Sequence, residues 1–200
     1  MTADESRSAA ARAARPVYIL KVTLADLSPP IWRKLRVRGD TPLSGLHRIL
    51  QAAMPWSDSH LHQFRVGNTY YGSPDDEFAR DTLSERATTL REIAPAARDR
   101  FVYEYDFGDG WQHEIVVEEI LPPDPTVRFT ECVGGARACP PEDCGGVPGY
   151  PRLVEVMRNP AHPERGEMLE WIGGAFDPEA FDLNGINRAL RRLASLWVMT

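Results

Sequence analysis

The chain has 200 residues, 42% of them hydrophobic, with 23 Lys+Arg against 29 Asp+Glu and a formal net charge of −6. That length and apolar share suit one compact domain of two subregions and exclude disorder as the default. No run approaches bilayer length, the start lacks the apolar segment of a secretory signal, and the acidic balance weighs against a dedicated nucleic-acid binder, so a cytoplasmic protein without a membrane partner is expected.

Residues 1–16, rich in Ala, Ser and Arg with no large apolar side chain after the initiator, read as a mobile tail. Residues 17–24 and 31–37 are β-prone, and the Asp26-Leu27-Ser28-Pro29-Pro30 connection makes them a first hairpin. Thr41 is placed as N-cap and Pro42 at the first helical position, with Leu43, Leu46, His47, Leu50 and Met54 at helical spacing until Pro55. Residues 61–66 and 69–71, turning at Gly67-Asn68, form a second hairpin. Residues 73–86 carry both charges without apolar periodicity and read as irregular; Thr89 and Glu92 then have capping-box spacing for one short helical turn.

Residues 101–121 organise the rest. A three-residue loop, Gly108-Asp109-Gly110, with Gly110 in the left-handed region, pairs Phe107 with Trp111, Tyr105 with His113, Tyr103 with Ile115 and Phe101 with Val117. The large apolar side chains then share one side, and Glu104, Asp106, Gln112 and Glu114 the other. A two-residue Asp109-Gly110 loop ranks second, because it scrambles this separation. The element order is that of an α+β fold, a β-grasp-like or roll mixed sheet with one packed helix, over residues 17–121. Pro122-Pro123-Asp124-Pro125 ends the last strand, and residues 122–150 form a Pro/Gly/Cys loop. Helices at residues 151–159, 164–172 and 182–198 complete a helical subregion, 151–200, that packs on the sheet; Leu183, Ile186, Leu190, Leu193 and Trp197 share one face of the last helix.

Several constellations could carry chemistry. Three cysteines in one loop argue against a disulfide framework, and Cys132, Cys139 and Cys144 fit either thiolate ligands of Zn²⁺ or small buried residues of a rigid loop. A fourth ligand would come from His60, His62, His113 or His162. His60 and His62, two apart on a strand, point to one side and fit either a shared ion or hydrogen bonds at the sheet margin. His47, on the apolar helix face, reads as a satisfied core histidine. If the Pro140-Pro141-Glu142-Asp143-Cys144 loop folds back on the hairpin turn, then Asp106, Asp109, Glu142, Asp143, His113 and Cys144 meet in a metal-assisted hydrolytic arrangement; otherwise Asp109 and Asp143 only shape turns. Arg33, Lys34, Arg36 and Arg38 beside Trp32 suit either phosphate contacts or a solvated strand edge, whereas residues 101–121 hold six acids and no Lys or Arg. No phosphate-binding loop, dinucleotide fingerprint, nucleophile elbow or His-Glu-x-x-His helix is present.

Pro30-Ile31-Trp32-Arg33, Leu46-His47, His60-Leu61-His62, the run from Tyr105 to His113, Cys132 with Gly134-Gly135, the run from Ala138 to Gly146, Gly149-Tyr150 and the run from Phe176 to Asp182 resemble the plasmid Ri third-open-reading-frame-like family. Some members of that family are labelled TnpR-like transposon passenger proteins. The likeness covers residue 17 to the end and rests on separated motifs in the same order. It implies an α+β domain and brings no established activity with it. The TnpR label implies a resolvase, whose nucleophilic serine needs an ordered scaffold; Ser6 and Ser8 lie in the expected tail. The expectation is therefore a non-catalytic binding module of plasmids or transposons with a protein or DNA partner. The alternative is a metal-dependent enzyme of hydrolytic type using the Cys/His/Asp/Glu cluster, with zinc as its cofactor.

Overall fold

The computed structural model describes residues 15–197 apart from 74–81, 125 and 128. Most of the expected tail, the middle of the expected irregular connection and the last three residues lie outside the described residues. Among the described residues, eight strands form one sheet: β1 (Val17–Leu24), β2 (Trp32–Arg38), β3 (His62–Val66), β4 (Thr69–Gly72), β5 (Leu83–Ser84), β6 (Arg100–Tyr105), β7 (Trp111–Leu121) and β8 (Glu131–Ala136). Their spatial order is β5-β4-β3-β6-β7-β1-β2-β8, and only β4 and β5 run parallel. The β6–β7 hairpin is thus central, as a ribbon buried on one face requires, and the fold is α+β with a mixed sheet.

Strand alternation creates the buried face. Tyr18, Leu20, Val22 and Leu24 of β1, Leu35 and Val37 of β2, Phe64 of β3, Phe101, Tyr103 and Tyr105 of β6, and Trp111, His113, Ile115 and Val117 of β7 all point inward. Against this face lies α1 (Leu43–Ala53), whose Leu43, Leu46, Ile49 and Leu50 recur at helical spacing and are buried. Each such side chain contributes roughly 1.5–3 kcal/mol by leaving water. After α2 (Leu90–Ile93) and the sheet come α3 (Gly146–Arg158), α4 (Arg165–Ile172) and α5 (Leu183–Trp197). Tyr150 and Leu153 of α3 and Ile186 and Leu190 of α5 join the same apolar cluster as the sheet, so this helical segment shares its core.

The structure corrects five expectations of local geometry. Tyr105 pairs with Trp111, Tyr103 with His113 and Phe101 with Ile115, so the hairpin is slipped by two residues from the expected register. The loop is longer because Asp106 turns left-handed (φ 57°), its Oδ1 accepts the N–H groups of Gly108 and Asp109, and Gly110 N–H closes back on the Asp106 carbonyl. Phe107 is consequently exposed at the tip, and Asp106 is buried instead of facing solvent from the strand. Thr41 makes no side-chain cap: Pro42 is the N-cap, and the N–H groups of Leu43 and Ser44 are taken by the Thr88 and Glu85 carbonyls. Glu131 to Ala136, expected as loop, is an outer strand because β2 offers it an unpaired edge; β2 is therefore interior. Within the expected irregular connection, Leu83 and Ser84 pair with β4. Finally, α3 starts at Gly146, five residues before the expected Pro151, and carries Pro151 inside it.

Candidate functional site

The expected approach of the Gly- and Cys-bearing loop to the aromatic hairpin is present, and Trp56 fastens it. Trp56 follows Pro55, which ends α1; its Nε1 donates to the Pro140 carbonyl at 2.9 Å, and its ring stacks on Tyr105 at 5.0 Å. Gly146 (φ 65°) lies so close to the hairpin tip that an added Cβ would stand 2.3 Å from the Asp109 carbonyl oxygen. Only glycine combines that backbone angle with that approach. Beside this contact, Glu142 accepts hydrogen bonds from the hydroxyls of Ser57, Ser59 and Tyr105 and from the Ser57 N–H. Burial alone would raise the Glu142 carboxyl, but the Ser57 and Tyr105 hydrogen bonds outweigh it and hold the group below its ordinary value. The Tyr105 hydroxyl is pushed up to about 12 by burial and by its bond to Glu142.

Two sets of metal-type donors flank this point. In the first, His60 Nε2 stands 3.7 Å from Asp106 Oδ2 and 3.3 Å from Asp143 Oδ1, and the three donor atoms lie within 4.8 Å of one another. His60 Nε2 is buried and has no hydrogen-bond acceptor. Asp106 Oδ1 is used by the hairpin loop, leaving Oδ2 for the histidine, whereas Asp143 is the exposed member of the set. Both aspartates adopt left-handed backbone angles, φ 57° and φ 60°, which short polar side chains tolerate.

The second set is His47, Asp58 and His62. The two imidazoles stack 3.5 Å apart and 4° from parallel. His47 is fully partnered, by Tyr103 Oη at 2.8 Å on Nδ1 and by Asp58 Oδ1 at 2.7 Å on Nε2; Gln51 donates to the same Tyr103 oxygen. Burial, followed by the neighbouring His62, lowers His47 to about 4, so it is neutral. His62 Nε2 meets Glu85 Oε2 at 2.8 Å. The expectation of a satisfied core histidine describes His47 well.

The structure separates several residues the sequence had grouped. His60 and His62 do not share a face: the strand begins at His62, the chain before it is irregular, and the two rings enter different sets. Among the described residues, no donor set within 4.8 Å includes a cysteine, and His113 is in neither set. Cys132 points inward from β8 and donates to the Gly134 carbonyl; burial raises its thiol, raises Cys139 further, and pushes Cys144 up to about 12 with Asp109 adding to the effect. These thiols are protonated at neutral pH. His113 is wholly buried, with Nδ1 on the Tyr103 carbonyl, and His162 accepts the Glu164 N–H in a local turn. Asp109 supplies its backbone to the Gly146 contact.

Of the four basic residues of β2, one points inward and three outward. Arg33 is buried, while Lys34 pairs with Glu118 at 2.7 Å, Arg36 with Glu131 and Arg38 with Asp40 at 2.7 Å. A phosphate on that face would have to displace a carboxylate from each. Asp58, Glu85, Ser57 and Ser59 were missed as site residues. The polar density of residues 57–60 after Pro55 was a usable signal for three of them, but nothing local marks Glu85, 23 residues from His62.

No helix among the described residues is long and apolar enough to cross a membrane. Comparison with known proteins gives a consistent relationship. The chain is 38% identical over 185 residues to the uncharacterized protein y4hQ of Sinorhizobium fredii (strain NBRC 101917 / NGR234), spanning 90% of this chain and 94% of that one. Its fold is similar to the crystal structure of a protein of unknown function, MM3350, from Methanosarcina mazei Go1, with a TM-score of 0.78 and 35% identity over 86% of this chain and 96% of that one. The family model for plasmid pRiA4b ORF-3-like proteins matches residues 16–185, and the chain belongs to that family.

Proposed function

We propose that this protein is a binding module that holds a divalent cation through His60 Nε2, Asp106 Oδ2 and Asp143 Oδ1. The observation that carries the reading is the buried His60 nitrogen without an acceptor, 3.3 and 3.7 Å from two carboxylate oxygens. Ligands about 2.1 Å from a tetrahedral ion stand roughly 3.4 Å apart, so the set needs little rearrangement. One imidazole with two carboxylates suits Zn²⁺, Mn²⁺ or Fe²⁺ better than Ca²⁺, which takes six to eight oxygens. This reading places zinc on the His/Asp set instead of on the cysteines, which the sequence left open between thiolate ligands and small buried residues.

Calorimetric titration and elemental analysis of metal-stripped protein with Zn²⁺ and Mn²⁺ test this. One ion per chain is expected, with affinity reduced about tenfold or more in His60→Gln and Asp106→Asn and unchanged in Cys139→Ala. Asp106→Asn keeps the Oδ1 bonds of the hairpin loop, so its effect reads the site. Binding indifferent to both variants, or absent from the wild type, would refute the proposal.

A second reading is favoured by a cleft of about 330 Å³ beside Asp143, lined by Cys144, Arg152, Met168 and Trp171. An ion at Asp143 would lend Lewis acidity to a substrate held there, the setting of metal-assisted hydrolysis. Ester and phosphoester turnover by the loaded protein, lost in Asp143→Asn, is the expected result of that reading. A TnpR-like transposon-passenger setting belongs to the proposal only through family resemblance, a cytoplasmic setting only through the lack of a bilayer-length or secretory run in the sequence, and Ser6 and Ser8 lie outside the described residues.

A further inference from the structure

Arg33 occupies an inward position of β2 and is 2% exposed. Its Nε donates to the Ala53 carbonyl at 3.0 Å, and Nη1 to the carbonyls of Trp32 at 2.9 Å and Ala136 at 3.0 Å. These bonds tie β2 to the end of α1 and to β8, yet every acceptor is a neutral peptide group. The guanidinium lies 5.0 Å from the centre of the Phe181 ring. The titratable neighbours that face it are Cys139 and Cys132, whose thiols burial keeps protonated. No carboxylate among the described residues pairs with it. Buried charges are ordinarily paired, because desolvation is costly without an opposite charge.

The same arginine lines a cavity of about 720 Å³ between the end of α1, the 138–142 loop and the start of α5. Its walls are largely apolar and aromatic, with Met54, Trp56, Pro140, Phe176, Phe181 and Ile186 contributing. That size and lining are those of small-molecule sites. The acids on the lining are already engaged: Glu142 holds Ser57, Ser59 and Tyr105, and Asp182 holds the Gly185 N–H and Arg188. We propose that this cavity binds a small organic anion with a flat apolar body, its anionic group pairing with Arg33 and its body packing against Phe176, Phe181 and Trp56. The site is separate from the cation site and does not depend on it. A carboxylate and a phosphate ester share the required chemistry, and the arms of the test distinguish them.

The test is titration of the full chain with phenylacetate, phenyl phosphate and neutral phenylacetamide, followed by calorimetry and ligand-observed NMR. At least one acid is expected to bind about tenfold or more tightly than the amide, and which acid does so identifies the anionic group. Ala189→Phe, which fills the cavity from α5 without touching Arg33's bonds, should abolish binding while the thermal midpoint shows a folded protein. Arg33→Gln should abolish the preference for acid over amide. Should Arg33→Gln fail to fold, the acid-to-amide ratio in the wild type and the Ala189→Phe result decide. Equal binding of acid and amide, binding that survives Ala189→Phe, or no binding of any probe to folded wild type would overturn the proposal.

Discussion

His113 shows how a single residue couples this fold to pH. Complete burial lowers its imidazole to about 4, against 6.5 in the open chain, with one ring nitrogen on the Tyr103 carbonyl and the other unpartnered. Above pH 6.5 both folded and unfolded states hold it neutral. Between 6.5 and 4 the unfolded chain takes up a proton that the native state refuses, so stability falls as pH falls through that window. The loss from His113 is about 3 kcal/mol once pH is below its folded value. His47, lowered to about 4 as well, acts in the same direction. Urea midpoints measured across the window should therefore decline toward acid, and His113→Phe should flatten the decline. An unaltered slope in that variant would contradict the assignment. At this scale the sequence marked His60, Asp106 and Asp143 by residue type alone. It gave no sign that His60 would lack an acceptor, because that depends on what stands opposite the ring.

Among the elements, the junction of hairpin tip and α3 is tightly constrained. Gly146→Ala places a methyl group against the Asp109 carbonyl at a left-handed backbone angle, and a loss of about 2–4 kcal/mol is expected from denaturant unfolding. Because the same junction brings Asp143 to His60, that variant should also weaken cation binding. A second joint lies at the sheet edge. Asn187 of α5 accepts the Cys132 N–H and donates to the Cys132 carbonyl, both at 2.9 Å, and so stands in for a ninth strand. Asn187→Leu leaves both backbone groups unpaired and should cost about 1–3 kcal/mol, read as a lowered unfolding midpoint. The hairpin register illustrates what was legible. Alternation fixed which residues of 101–105 and 111–117 face inward, and a slip of two preserves that face, so the burial expectation survives the wrong pairing in both strands and fails only at the tip, where Phe107 is exposed and Asp106 buried. The slip itself came from the Asp106 turn, a side-chain-to-backbone bond that competes with strand pairing and that a loop-length rule does not weigh. β8 was missed because Gly134 and Gly135 weaken any strand signal, and its pairing comes from the edge of β2.

For the molecule as a whole, the sheet's inner face and the C-terminal helices contribute to one apolar cluster, so Leu20→Ala and Leu190→Ala should each cost about 2–5 kcal/mol in the same cooperative transition. Ending the chain at residue 145 should abolish that transition, since it strips Tyr150, Leu153, Ile186 and Leu190 from the core. Separate melting of the helical segment would show the cluster to be two. By itself the sequence determined the α+β class, both early hairpins, the inward set of the two strands of the 101–121 ribbon and the helical face of residues 183–193, because these rest on local turn residues and on periods of two and 3.6 that short-range sterics impose, while the family was legible from separated motifs in a fixed order. Only the tertiary structure decided that His60 meets Asp106 and Asp143 while His62 turns away to Glu85, and that Arg33 lies buried beside a cavity with no carboxylate paired to it among the described residues. Those outcomes depend on where distant loops close over the sheet, and loop closure carries no local period to read.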